Sequence, residues 1–301
     1  MSDDLFDLFK DLDDTNELIE VDRTEYQRAP FAMPGAKYRS LHEIIPRLPI
    51  TRSCTWADHC GGTGVVSWNV PTCKVMMFND RYSGIVAFYR VLRDPIKKDQ
   101  LLKYLSEMPP HSREEWLDCR AMWVTEEDDV ARAAKWYYMT RLSILNKRQA
   151  FGRGITMKFA PIGDMSDVRL LFDSIHPILK NFTLENLDLK VSFLDYDTPS
   201  TIHYIDPPYV NTDQGTYEDK WTHKDNEDLF RLIANSKGFV AFSHYYSSEI
   251  DKQSFWTNRY TWSTRVTTEP LIARAENHKL ERTDEFGEKE ALECLWIKEP
   301  R

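Results

Sequence analysis

The chain reads as an α/β protein: an open, mostly parallel sheet with helices on both faces, interrupted by a mostly helical insertion. Strand and helix signals alternate from about Phe31 to Arg93 and again from Lys190 onward, the pattern of a parallel sheet wound with helices. Between these stretches, from Ile96 to about Asn186, the apolar spacing is helical. With 301 residues, 42% of them hydrophobic and nine tryptophans, the chain has ample material for a core and folds alone.

Taken in order, residues 1–29 form an acidic arm. Leu5, Leu8, Phe9 and Leu12 fall near one face of a short amphipathic helix, which either folds onto the body or meets a protein partner. Residues 30–95 make the first half of the sheet. A strand candidate opens Thr55 to Asn69 (TWADHCGGTGVVSWN), where Gly61, Gly62 and Gly64 allow a tight turn and close approach of a ligand, with a helix N-terminus beside it. A second strand candidate, Lys74 to Asp80 (KVMMFND), ends in an acid before a helix over Ser83 to Arg93, and Asp94-Pro95 breaks the pattern. Residues 96–187 read as helices over Lys97–Glu107, Glu114–Trp123, Asp129–Leu145 and, apart from Pro177, Val168–Phe182, with a loop or hairpin at Phe151-Gly-Arg-Gly. Residues 188–301 return to strand candidates at Lys190–Leu194, Ile202–Ile205, Phe239–Ser243 and Glu293–Lys298, with a helix near Lys224–Ser236 and a charge-dense exposed loop at 270–290.

Composition excludes several classes. No stretch is apolar enough to cross a bilayer, and the acidic N-terminus is unlike a basic targeting peptide, so an intracellular, cytoplasmic protein is expected. The five cysteines show no CxxC spacing and read as free thiols, while His59 beside Cys60 lacks partners at ligand spacing, so no metal is expected. A net charge of −9 opposes a nucleic-acid partner, but screening makes local charge count for more than the total. Lys135, Arg141, Lys147, Arg148, Arg153 and Lys158 lie among Trp136, Tyr137, Tyr138, Phe151 and Phe159, as a strand-tracking or groove-entering surface requires; the alternative is a solvated helix face followed by a loop.

The most specific signal is DPPY, Asp206 to Tyr209, closing the apolar run Ile202 to Ile205. Two prolines restrict the backbone and supply no amide donors, so the carbonyl groups of the turn are free to face a ligand. Asp206 and the Pro207 carbonyl make a fixed pair of acceptors, Pro208 holds the turn, and Tyr209 offers a flat face: a fit for an amino group on a planar heterocycle. Asp80, at the end of the strand after the glycine turn, is placed either to bond ribose hydroxyls or to cap the following helix.

Together, PGAK at Pro34 to Lys37, the glycine turn, Asp80 and the later DPPY resemble the Dam-type DNA adenine-N6 methyltransferases, and so does their order: cofactor half first, target-recognition insertion next, DPPY half last. YYMTR at Tyr137–Arg141, LDY at Leu194–Tyr196, GFVAFSHY at Gly238–Tyr245 and ECLWIK at Glu293–Lys298 extend the likeness over about residues 30 to 300. The chain departs at Cys60, where the family has Phe, and in a shorter segment after Arg141. The resemblance implies a Rossmann-like class I methyltransferase sheet with an inserted, mostly helical target-recognition domain, acting on double-stranded DNA in a sequence-specific way. It implies S-adenosylmethionine as cofactor, held by Asp58, the Gly62 to Gly64 backbone, Asp80 at the ribose, Lys37 near the methionine carboxylate, and Asp195 with Tyr196 near the adenine. Asp206, Pro207 and Tyr209 carry catalysis in this reading, while Pro208, Arg141, Lys147, Arg148 and Arg153 meet the substrate. RNA adenine, other amino groups on the same scaffold, and a non-catalytic methyltransferase-like subunit stay open as alternatives.

Overall fold

The structure, a computed structural model, describes residues 18–19, 25–152, 165–210, 220–265 and 290–300. Strands β1 (Thr55–Asp58), β2 (Val75–Asn79), β3 (Phe182–Glu185), β4 (Thr201–Ile205), β5 (Phe239–Tyr245), β6 (Asn258–Arg265) and β7 (Glu290–Lys298) form one sheet in the order β3-β2-β1-β4-β5-β7-β6. The neighbours from β3 to β5 are parallel, and β7 runs antiparallel to both β5 and β6. Chain order climbs from β1 to β3 on one side and restarts at β4 on the other side of β1. Crossovers leave that point in opposite directions, which opens a crevice at the carboxyl ends of β1 and β4. This is the mostly parallel sheet that the alternation predicts, with the Rossmann-like arrangement that the family resemblance implies.

The helices are α1 (Leu41–Ile44), α2 (Ser83–Arg93), α3 (Pro95–Glu107), α4 (Arg113–Met122), α5 (Asp129–Arg141), α6 (Met165–Leu179), α7 (Leu189–Tyr196), α8 (His223–Asn235) and α9 (Ser248–Asp251). Side chains alternate across a strand, so each sheet face has its own core. One gathers Trp56, Phe78, Ile202, Tyr204 and Leu295 with Phe88 of α2, Trp136 of α5 and Phe172 of α6. The other gathers Ile205, Phe242 and Trp296 with Phe193 of α7 and Leu229 and Ile233 of α8. Each such fully buried side chain contributes about 1.5–3 kcal/mol. The helical middle of the chain therefore shares its core with the sheet, and β3, which lies within residues 96–187, pairs with β2.

Several expectations need correction. Lys190–Leu194 is not a strand: Leu189, Ser192 and Phe193 are buried at helical spacing in α7, and Asp188 caps its first turn by accepting from the Lys190 amide. The strand at this place is β3, drawn from the stretch expected to end the preceding helix. α6 takes in Pro177 and ends two residues later at Leu179, so the residue without an N–H donor sits in the last turn of the helix. α5 ends at Arg141, four residues early, and the chain turns through Asn146 and Arg148 at positive φ, 54° and 59°. The glycine turn leads into successive tight turns, with Trp68 N donating to Gly64 O at 2.8 Å and Val70 N to Val66 O at 3.1 Å, and no helix begins there. The amphipathic arm at Leu5–Leu12, Arg153, Lys158, Phe159 and most of the 270–290 loop lie outside the described residues.

Candidate active site

At the carboxyl edge of the sheet, Asp206 follows β4 on the same side as Tyr204, which sits in register with Asp58 of β1. β5 carries the row on through Ser243 and Tyr245, and Glu293 of β7 lies opposite Tyr245. Alternation thus brings three carboxyl groups from distant parts of the sequence onto one buried edge. Lys37 reaches them from the segment before α1. Its ammonium donates to Asp206 Oδ2 at 2.6 Å and to Gly35 O at 2.9 Å, and lies 3.5 Å from Glu293 Oε1. Gly35 supports that approach with φ 83°, a conformation that side chains resist.

The DPPY turn closes on itself. Tyr209 donates its hydroxyl to Asp206 Oδ1 at 3.0 Å and to Glu293 Oε1. Its ring rests on His244 at 4.1 Å and meets Tyr245 edge-on at 4.7 Å, with the Lys37 ammonium 5.1 Å from its centre. Pro207 is buried, and Asp206, Pro208 and Tyr209 are half-buried. Two of the roughly four lone-pair sites of the Asp206 carboxylate are used in this way, which leaves acceptor capacity.

Burial dominates the protonation of this edge. It raises Asp206 to about 6, against the pull of Lys37 and with Glu293 adding to the rise. Asp58, only 1% exposed, is raised further, to about 8, by burial and then by Asp206 and Asp80, while its bond from Ser67 opposes the shift. Burial pushes the Lys37 pKa down, but Asp206 and Glu293 outweigh that cost, raising it and holding the ammonium charged. Asp58 Oδ2 accepts from Ser67 Oγ at 2.6 Å, whereas Oδ1 is buried with no hydrogen-bond partner among the described residues. An orphaned buried carboxyl oxygen at a crevice is a place for a ligand donor.

The glycine turn is held beside it. Asp80 accepts from the Gly62 amide at 2.8 Å and from the Tyr82 amide at 2.8 Å, so the strand-end acid braces the turn and the start of α2 together. Asn79 clamps the same region, donating to His59 O at 2.9 Å and accepting from Leu187 N at 2.8 Å. Gly62 and Gly64 take φ 54° and 69°; a Cβ on Gly62 would meet open space, while one on Gly64 would fall 2.2 Å from the Trp68 ring. Gly64→Ala is therefore expected to destabilise the fold by about 1–3 kcal/mol, read as a lowered thermal midpoint, whereas Gly62→Ala carries only the backbone cost.

Other expected residues are placed differently. Asp195 is exposed near the end of α7, not past a strand, and Tyr196 turns its hydroxyl toward Glu185 at 3.5 Å while its carbonyl accepts from Thr201 at the start of β4. The acids at the end of β3 are Glu185, its last residue, and Asp188 just beyond, the latter 3.5 Å from Arg81. Trp136, Tyr137 and Tyr138 are core residues, because α5 is enclosed by α2, α3 and α4, and Lys135 is paired with Glu126. Arg148 is buried with its guanidinium 4.5 Å from the Tyr82 ring, while Arg141 and Lys147 are half-buried. His59 is engaged by Ser192 at 2.8 Å and His203 at 2.9 Å. Glu293 is the residue of this edge that sequence reasoning missed: a buried acid inside an apolar closing strand was the available signal.

Among the described residues no helix is long and apolar enough to cross a membrane. A search of curated proteins returned no match. The family model for D12 class N6 adenine-specific DNA methyltransferases matches residues 34–268, well over half of the chain. That span takes in Lys37, the glycine turn, Asp80 and DPPY on a sheet whose reversal point brings them together, and the chain belongs to the D12 class N6 adenine-specific DNA methyltransferases.

Proposed function

We propose that the crevice between β1 and β4 binds S-adenosylmethionine and that its methyl group passes to N6 of an adenine turned out of double-stranded DNA at a specific sequence. Asp206 carries this reading, as an acceptor with spare lone pairs at the reversal point beside a glycine turn. The residues fit the donor: Gly62 leaves open space for close approach, Asp58 Oδ1 lacks a partner among the described residues, and two carboxylates, Asp206 and Glu293, face one lysine, an excess of negative charge suited to a cation. When bound, the donor supplies a methyl group on a positively charged sulfur.

The chain's own residues solve a chemical difficulty. The exocyclic nitrogen of adenine shares its lone pair with the ring and is a poor nucleophile. Asp206 and the Pro207 carbonyl accept its two N–H bonds, which returns density to nitrogen and favours a pyramidal shape. Full proton removal beforehand is ruled out by the mismatch between an amino group and a carboxylate of pKa about 6. Positioning is the main lever, worth about 7–11 kcal/mol of the barrier. Extruding the base costs a few kcal/mol, and stacking on an aromatic side chain such as Tyr209 returns roughly 1–3. Sequence-specific contacts are assigned to Arg141 and Lys147 and to Arg153. The cofactor contact near the adenine moves in this reading from Asp195 to the acids at the end of β3.

Expression in a methylation-free host followed by modification-sensitive sequencing tests donor, base and site together. N6-methyladenine at one recurring motif is expected, and its absence from the host DNA would end the proposal.

A further inference from the structure

Glu293 gathers the site onto a single oxygen. Its Oε1 accepts from the Tyr209 hydroxyl and from Ser243 Oγ at 3.2 Å, and lies 3.5 Å from the Lys37 ammonium. These donors come from the DPPY turn, from β5 and from the segment before α1, and Glu293 itself comes from the last strand of the chain. A carboxylate 4% exposed in the middle of an apolar strand is costly unless every partner is in place, so its position there calls for a task beyond packing. Lys37 and Tyr209 both also hydrogen-bond to Asp206.

We infer that Glu293 is a positioning residue for methyl transfer, fixing the Tyr209 ring and sharing Lys37 with Asp206 so that the acceptor keeps its geometry. This rests on the reading of Asp206 as the acceptor of the adenine amino group. Asp206 is faced by Lys37, by Asp58 and Cys60 at the end of β1, by Tyr204 and Tyr209 of its own segment, by Tyr245 of β5 and by Glu293 of β7. Among these, the negative charge of Glu293 raises the pKa of Asp206, and the Tyr209 hydroxyl lowers it.

Two variants separate the roles. Glu293→Ala removes the hub and is expected to lower kcat about a hundredfold through misplacement, with donor binding by calorimetry unchanged. Glu293→Gln keeps the acceptor oxygen and removes the charge, so the acid limb of the kcat profile is expected to move to lower pH. Tyr209→Phe is expected to move it the opposite way and to lower kcat more mildly. A kcat for Glu293→Ala within twofold of wild type, or an unmoved limb in Glu293→Gln, overturns the inference while wild-type methylation still supports the reading beneath it. Wild-type protein that forms no N6-methyladenine overturns both. Should the Glu293 variants fail to fold, Tyr209→Phe decides: an unchanged kcat and limb would sink the positioning role.

Discussion

Asp206→Ala is expected to abolish methyl transfer, by about a thousandfold or more, with S-adenosylmethionine binding largely kept. In the proposed function, the loss follows from removing the oriented acceptor of the adenine amino group, a role combining positioning with proton control. The fold should survive, because Lys37, released from its 2.6 Å partner, still has Glu293 and the Gly35 carbonyl within reach. Single-turnover transfer of a labelled methyl group to duplex DNA, beside calorimetric titration with the donor, reads both halves; unchanged activity would rule out the assignment. In the wild type, the carboxyl group must be ionised to accept. Its pKa, raised by burial to about 6, therefore sets an acid limb near that value: activity is lost as pH falls through it and is full above. A limb at the ordinary carboxylate value near 4 would mean that Asp206 is solvated during turnover, and that the buried edge opens.

Lys37→Met is expected to be the most destabilising single change in the site, costing roughly 3–5 kcal/mol, because it leaves a buried carboxylate pair with no counter-charge. The cost should depend on pH with a definite sign. Asp206 already binds its proton more tightly in the folded protein than in the unfolded chain, so its contribution to stability declines as pH rises from about 4 to about 6. Lys37 lowers that folded pKa; without it the window widens upward and the native state must bind a proton that the solvent takes at neutral pH. Thermal unfolding should therefore show a larger gap between Lys37→Met and wild type at pH 8 than at pH 5. An equal gap at both values would assign Lys37 to packing alone. The acid limb of transfer should also move to higher pH in this variant, opposite to Glu293→Gln.

Much of the fold was legible in the chain. β2, β4, β5 and the closing strand ended within about two residues of where apolar runs meet acids, prolines or turns, because in a sheet buried on both faces such runs have few other ways to bury themselves. α2, α3 and α4 lie within about two residues of the spans that apolar spacing gives, and in the structure the side chains of Asp94, Ser112 and Asp128 cap α3, α4 and α5. The errors fell where local signals were ambiguous: Leu189 to Tyr196 is apolar enough for a strand and only its burial at helical spacing decides otherwise. The aromatic run of α5 could not be read as core from sequence, since enclosure depends on which helices pack around it.

For the site, the sequence alone picked out candidate residues and their neighbours in the chain: DPPY after a strand, glycines before an apolar stretch, an acid after the next strand. Those are local, carried by backbone stiffness and strand ends. Only the tertiary structure decided that Lys37 joins Asp206 instead of standing apart, that Asp58 and Glu293 share its buried edge, and that Arg148 is covered by Tyr82. The reason is physical: protonation and charge pairing depend on burial and on distances across strands, and sheet order β1-β4-β5-β7 makes neighbours of residues that sequence separation keeps far apart.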